Sequence, residues 1–240
     1  MRLDNGSWLL TKPIAHRGLW GNGLIENSLP AYKNAVDNGY PIEIDLYSST
    51  DGVLFSFHDY NLKRMTGVDG LIYEKTAKEL KELRLLDSDE KIPTFDEILS
   101  LVDGKVPLLI ELKDQPDKSY IDKVVERLKS YKGEFAIQSF DPIYIKRVKK
   151  LAPEFIRGIL ATKTYSKHLS FIKRNVVKNM SLNFLIKPDF ISYSFEDLPI
   201  PKRKVKKIPL ISWTLTSQAD YERIKPIVKN IIFENFIPKK

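Results

Sequence analysis

Val106-Pro107-Leu108-Leu109-Ile110-Glu111-Leu112-Lys113 is apolar almost throughout, until a carboxylate and an ammonium enter two residues apart at its end. A strand with one wet face alternates apolar and polar residues. A run apolar on both faces belongs instead to a parallel sheet covered by helices. The same pattern recurs along the chain, in short β-rich runs at 13–16, 41–46, 106–112, 135–139, 156–161, 190–193, 210–214 and 231–233. Amphipathic segments lie between most of them, at 29–38, 94–102, 120–131, 142–151, 169–178 and 218–228. Ser217 stands as an N-cap, and Pro142 falls in a first helical turn, where its missing N–H costs nothing. Eight strands with helical crossovers predict a (β/α)8 TIM barrel, with a doubly wound open sheet as the alternative because pattern alone does not prove closure.

One stretch breaks the rhythm. Residues 53–58 form an extra extended run after the turn Thr50-Asp51-Gly52, as expected of a hairpin continuing strand two. Residues 59 to about 91 then read as a charged, partly helical insertion, with helical spacing over 74–86 that suits a small lid. Most of Leu71, Ile72, Leu80, Leu83 and Leu85 are expected to turn inward as packing, leaving a polar rim. With no repeat or linker, residues 1–240 are expected to form a single domain.

Composition narrows the chemistry. The 42% apolar share is ordinary for a globular protein and supports a sizeable core. Zero cysteines exclude disulfides and thiolate chemistry, so metal ligands must be oxygen or nitrogen. The net charge of +8 comes largely from Lys scattered over expected helix faces. The run Lys202-Arg203-Lys204-Val205-Lys206-Lys207 lies between Pro201 and Pro209 without interleaved aromatics, and reads as a solvated connection rather than a nucleic-acid patch. No apolar run has the roughly 18–20 residues that span a bilayer, and Met1-Arg2-Leu3-Asp4-Asn5 lacks a secretory profile. A cytoplasmic protein without stable membrane insertion or nucleic-acid partner is expected; a homodimer is compatible with the sequence.

The candidate site is built from His16-Arg17-Gly18, Glu43-Ile44-Asp45 and His58-Asp59, with Glu111-Leu112-Lys113 from the opening run. Side chains alternate along a strand, so Glu43 and Asp45 point one way, as do Glu111 and Lys113. Charges embedded near the C-terminal end of apolar barrel strands belong at the mouth, where barrel enzymes work. Burying an unpaired carboxylate costs several kcal/mol, so Glu43, Asp45 and Glu111 call for a shared cation. Oxygen ligands favour Mg2+ or Ca2+ over Zn2+. Imidazoles exchange protons near neutrality, so His16 and His58 suit the acid and base roles, and the Arg17 guanidinium suits a phosphate.

These residues resemble the glycerophosphodiester phosphodiesterase family. The likeness continues through Glu26-Asn27-Ser28-Leu29-Pro30-Ala31-Tyr32, Asp51-Gly52, Ile92-Pro93-Thr94-Phe95-Asp96-Glu97-Ile98-Leu99, Ser139-Phe140-Asp141 and Ser212-Trp213-Thr214, spanning residues 13 to about 233. It implies a barrel with a small insertion after strand two. It also implies hydrolysis of a small glycerophosphodiester to glycerol 3-phosphate and an alcohol with one divalent cation. By position, His16 and His58 become the acid–base pair, and Glu43, Asp45 and Glu111 the metal ligands. Arg17 and Lys113 contact phosphate, Glu26 and Asn27 shape the loop after strand one with Asn27 near metal or glycerol, and Phe140 and Trp213 line the mouth. The C-terminal segment departs from the family pattern, with Glu234 where Asp is usual, and Ser49-Thr50 replace a frequent Thr-Lys. Both departures bear on substrate preference. The competing expectations are a lysophospholipase D-like or cyclic-phosphate-forming relative, and a non-catalytic phosphodiester-binding barrel.

Overall fold

The computed structural model describes residues 3–163, 182–201, 205 and 208–239. Its strands are β1 (Ile14–His16), β2 (Ile42–Ser48), β3 (Leu54–Ser56), β4 (Leu108–Leu112), β5 (Phe135–Ser139), β6 (Arg157–Ala161), β7 (Phe190–Ser194), β8 (Leu210–Leu215) and β9 (Asn230–Phe233). Strands alternating with helices in this order, with β3 as the added hairpin strand, make the fold a (β/α)8 barrel. The chain packs as two compact units, residues 15–135 and residues 1–14 with 136–240.

In the unit of residues 15–135, β2 is the organising strand. It runs parallel to β4 from Ile42–Leu108 to Leu46–Leu112, and parallel to β1 at Ala15–Ile42 and His16–Glu43. Its C-terminal half pairs antiparallel with β3, through Leu46–Ser56, Tyr47–Phe55 and Ser48–Leu54. Every residue of β2 and β4 is buried, as their apolar reading requires. Helix Leu29–Asp37 starts at Ser28, whose hydroxyl accepts from Ala31 N, and helix Phe95–Val102 starts at a reciprocal Thr94–Glu97 capping box.

The insertion contains short helices at Lys63–Thr66 and Ala77–Glu82 and a 3-10 turn at Ile72–Glu74. The periodicity over 74–86 predicts one longer helix; the structure ends it at Glu82. A capping box at Thr76 fixes the start, and Leu83 turns extended so that Arg84 can bridge Lys91. Leu62, Met65, Ile72, Leu80, Leu85 and Ile92 pack with Tyr47, Phe55 and Phe57 of the hairpin in one cluster. Burying each such side chain stabilises by about 1.5–3 kcal/mol, against about 1–2 kcal/mol to order each residue's backbone, so a loop this long needs a core of its own.

In the other unit, β5 to β9 are successive parallel neighbours. Helix Pro142–Leu151 opens with Asp141 accepting from Ile143 N, and helix Gln218–Ile224 with Ser217 accepting from Asp220 N, as expected. Gly158 lies against the Phe190 ring, 2.3 Å from where a Cβ would stand. The expected helix at 169–178 and the basic side chains of 202–207 fall outside the described residues. Among the described residues no helix is long and apolar enough to cross a membrane.

Candidate active site

Strand alternation and register bring the three acids together within the unit of residues 15–135. Glu43 and Asp45 project from β2 on one face, and Asp45 is the register partner of Glu111 on β4. One carboxylate oxygen from each lies within 4.8 Å of the others, and the residues are only 1%, 0% and 8% exposed. Lys113, just past β4, places Nζ 2.9 Å from Glu111 Oε1 and 3.3 Å from Asp45 Oδ1. Asp45 Oδ1 is nevertheless buried without a hydrogen bond. Burial, together with the charges of Asp45 and Glu111, pushes the Glu43 carboxyl well above the ordinary range. Burial acts on Asp45 in the same sense, but Lys113, His58, Arg17 and His16 outweigh it and hold that carboxyl low. Three buried carboxylates and an unsatisfied oxygen fit a hard divalent cation.

The loop after β1 supports this cluster. Arg17 and Gly18 have left-handed backbones, φ 57° and 87°. A Cβ at Gly18 would stand 2.9 Å from Ala31 C, so glycine is required where the loop meets helix Leu29–Asp37. The turn directs Arg17 N–H to Glu43 Oε2 at 3.2 Å, while Arg17 Nη1 donates to Glu26 Oε1 at 2.8 Å. Arg17 Nε sits 3.6 Å from Asp45 Oδ2, buried without a hydrogen-bond acceptor. Burial lowers the guanidinium's pKa, but Asp45, Glu26 and Glu43 raise it further, so it stays charged. That orphaned donor suits an anionic oxygen.

Asn27 is spent on the scaffold. Its Nδ2 donates to Asp45 Oδ2 at 3.1 Å, and its Oδ1 accepts from Tyr32 O–H at 2.8 Å. The Tyr32 oxygen is 2.6 Å from Ser56 Oγ, which itself lies 3.3 Å from Asn27 Oδ1. Tyr32 and Ser56 are fully buried, so this hydrogen-bond chain fixes the amide against Asp45. Sequence reasoning did not single out Tyr32 or Ser56 as supports; only their spatial meeting across strand and helix reveals them.

His58 Nδ1 lies 2.7 Å from Asp59 Oδ1. Burial would raise the Asp59 carboxyl, but hydrogen bonds from His58 and Arg64 hold it well below the ordinary range. An ionised carboxylate only accepts, so His58 donates through Nδ1 and keeps Nε2 for chemistry. His16 Nε2 is 3.9 Å from Glu43 Oε2. Phe140 and Trp213 belong to the other unit, where their rings meet edge to face at 5.6 Å, and Trp213 Nε1 is buried without a partner.

Comparison with known proteins gives the class. Residues 16–237 match the model of the glycerophosphoryl diester phosphodiesterase family, and the chain belongs to that enzyme family. It is 33% identical to a glycerophosphodiester phosphodiesterase of Caldanaerobacter subterraneus subsp. tengcongensis, over 62% of this chain and 66% of that protein. Among solved structures, an Oleispira antarctica phosphodiesterase in complex with the product sn-glycerol-3-phosphate shares the fold. It has TM-score 0.79 and 24% identity, over 94% of this chain and 93% of that one. A glycerophosphodiester phosphodiesterase from Thermotoga maritima gives TM-score 0.71 and 26% identity, over 93% and 94%.

Proposed function

We propose that this chain is a divalent-cation-dependent phosphodiesterase that hydrolyses small glycerophosphodiesters to sn-glycerol 3-phosphate and an alcohol. The observation that carries the reading is the meeting of Glu43, Asp45 and Glu111, buried with their oxygens within 4.8 Å, beside an unsatisfied Arg17 Nε. Glu43, Asp45 and Glu111 would hold one Mg2+ or Ca2+, which when bound would offset charge on the phosphodiester and in its transition state. Arg17 and Lys113 bind the non-bridging phosphate oxygens. His16 and His58 divide the proton transfers: one imidazole takes the proton of the attacking water as its oxygen bonds to phosphorus. The other delivers a proton to the alkoxide oxygen as that P–O bond breaks. Asn27 keeps Asp45 in its ligand orientation. Residues 1–240 act as one domain, with the insertion setting the leaving-group side.

The test is turnover of glycerophosphocholine followed by 31P NMR, before and after EDTA and with metal added back. Glu111→Gln should remove most activity without unfolding the protein and recover part of it at high metal. Full activity in metal-free protein refutes the metal site, and a cyclic phosphate as the final product refutes hydrolysis.

A further inference from the structure

We propose that Arg64 is a positioning residue: it fixes His58 through Asp59 and ties that end of the site to Arg17 through Glu26. The inference rests on the phosphodiesterase reading above. Arg64 lies in helix Lys63–Thr66 of the insertion. Its Nε donates to Asp59 Oδ2 at 2.5 Å and its Nη2 to Asp59 Oδ1 at 3.2 Å, a two-pronged grip on one carboxylate. The same Nη2 donates to Glu26 Oε1 at 2.6 Å, and that oxygen also accepts from Arg17 Nη1 at 2.8 Å. Hydrogen bonds therefore run unbroken from His58 through Asp59, Arg64 and Glu26 to Arg17.

The geometry explains why the fork is needed. A carboxylate beside a histidine can swing about its own side chain, carrying the imidazole with it. Two parallel N–H bonds from a planar guanidinium fix the carboxylate plane, which a lysine cannot do. The helix that presents Arg64 is itself held, because Leu62 and Met65 on either side are buried in the insertion's core. The side chain is 46% exposed, so its removal should disturb geometry more than stability.

Arg64→Met should lower kcat for glycerophosphocholine about 10- to 100-fold, the scale on which a small misplacement of a reacting group acts. KM and the metal requirement should stay within about twofold, and Arg64→Lys should recover only part of the loss. Combined with Asp59→Asn, Arg64→Met should add much less than its own single loss, since both act chiefly through one imidazole and only the Glu26 contact is separate. The second readout is the 15N spectrum of the His58 ring at about pH 9, where imidazoles are neutral. The wild-type ring should hold its proton on Nδ1, and the Arg64→Met ring should mix both tautomers. An unchanged His58 spectrum, or losses that multiply in the double variant, overturns the proposal. If the wild-type protein turns over no glycerophosphodiester, the phosphodiesterase reading fails, while the imidazole spectrum still decides the role of Arg64.

Discussion

Tyr32→Phe removes a single oxygen from the fully buried chain that holds Asn27 against Asp45, and nothing else changes shape. That oxygen donates to Asn27 Oδ1 at 2.8 Å and lies 2.6 Å from Ser56 Oγ. After the change, Ser56 can turn its hydroxyl to Asn27 Oδ1, 3.3 Å away, so two short hydrogen bonds give way to one weaker bond, a net loss of one. A buried hydrogen bond left partly unmade costs about 1–2 kcal/mol. In a chain of this size that corresponds to a Tm lower by roughly 2–8 °C. Because Asn27 then holds Asp45 less firmly, the divalent-ion midpoint should weaken about tenfold, as expected when a group behind a ligand is lost. Ser56→Ala should cost less on both scales, since Tyr32 still reaches Asn27. Calorimetric melts and metal titrations of activity on the two variants give the comparison. Tyr32→Phe with unchanged Tm and metal midpoint, or Ser56→Ala as the more damaging change, would refute the reasoning.

Other outcomes follow from the same geometry. His16→Ala and His58→Ala should each cost about two to four orders of magnitude, and a nitrophenyl leaving group should rescue just the variant lacking the proton donor, read by steady-state kinetics. Equal defects on that substrate would argue against divided roles. Glu26 sits below its ordinary range: burial opposes this, but the Arg64 hydrogen bond and the charges of Arg17 and Arg64 prevail. A depressed carboxyl stabilises the fold above its unfolded pKa, about 4.3, and that contribution disappears as pH falls through the lower folded value. Glu26→Gln should therefore be less stable than wild type at pH 7, with the gap closing in acid; urea melts at both pH values test it. Most of the insertion's apolar side chains enter its own core, with Val68 and Leu86 left exposed, so kcat/KM should favour glycerophosphoethanolamine over a palmitoyl lysophospholipid. The reverse preference would reveal an acyl groove.

Sequence alone located the strands closely because parallel strands covered on both faces write themselves as apolar runs; β5 and helix Pro142–Leu151 coincide with their expected bounds. Period-two alternation was equally informative, since it placed Glu43 beside Asp45 and Glu111 beside Lys113 before any coordinates. Alternation fails where backbone turns left-handed. Arg17, Gly18 and Asn27 all do so, and their directions depend on contacts with Glu43, Ala31 and Asp45 that lie far along the chain. The insertion's helix was overextended because leucine spacing persists past Glu82, while Leu83 leaves the helix for an extended path. Arg64 had no local signal at all: a single arginine in a short charged helix acquires meaning only beside Asp59 and Glu26.

The two partners of β2's second edge divide that strand between tasks. Its lower half pairs with β1 and its upper half with β3, so the strand bearing two of the acids also anchors the hairpin that leads into the insertion. The insertion closes around Tyr47, Phe55 and Phe57 of that hairpin, and Tyr47 stands next along β2 from Asp45 on the same alternation. For protein engineering this makes the stretch from Leu71 to Lys91 an exchangeable cassette. On the proposed function, lengthening, shortening or grafting it should alter which alcohol is accepted, provided the graft keeps Arg64 upstream, Ile92 seated and the cluster places of Ile72, Leu80 and Leu85 filled. Substrate choice should then vary at one seam while the acids of β2 stay in place.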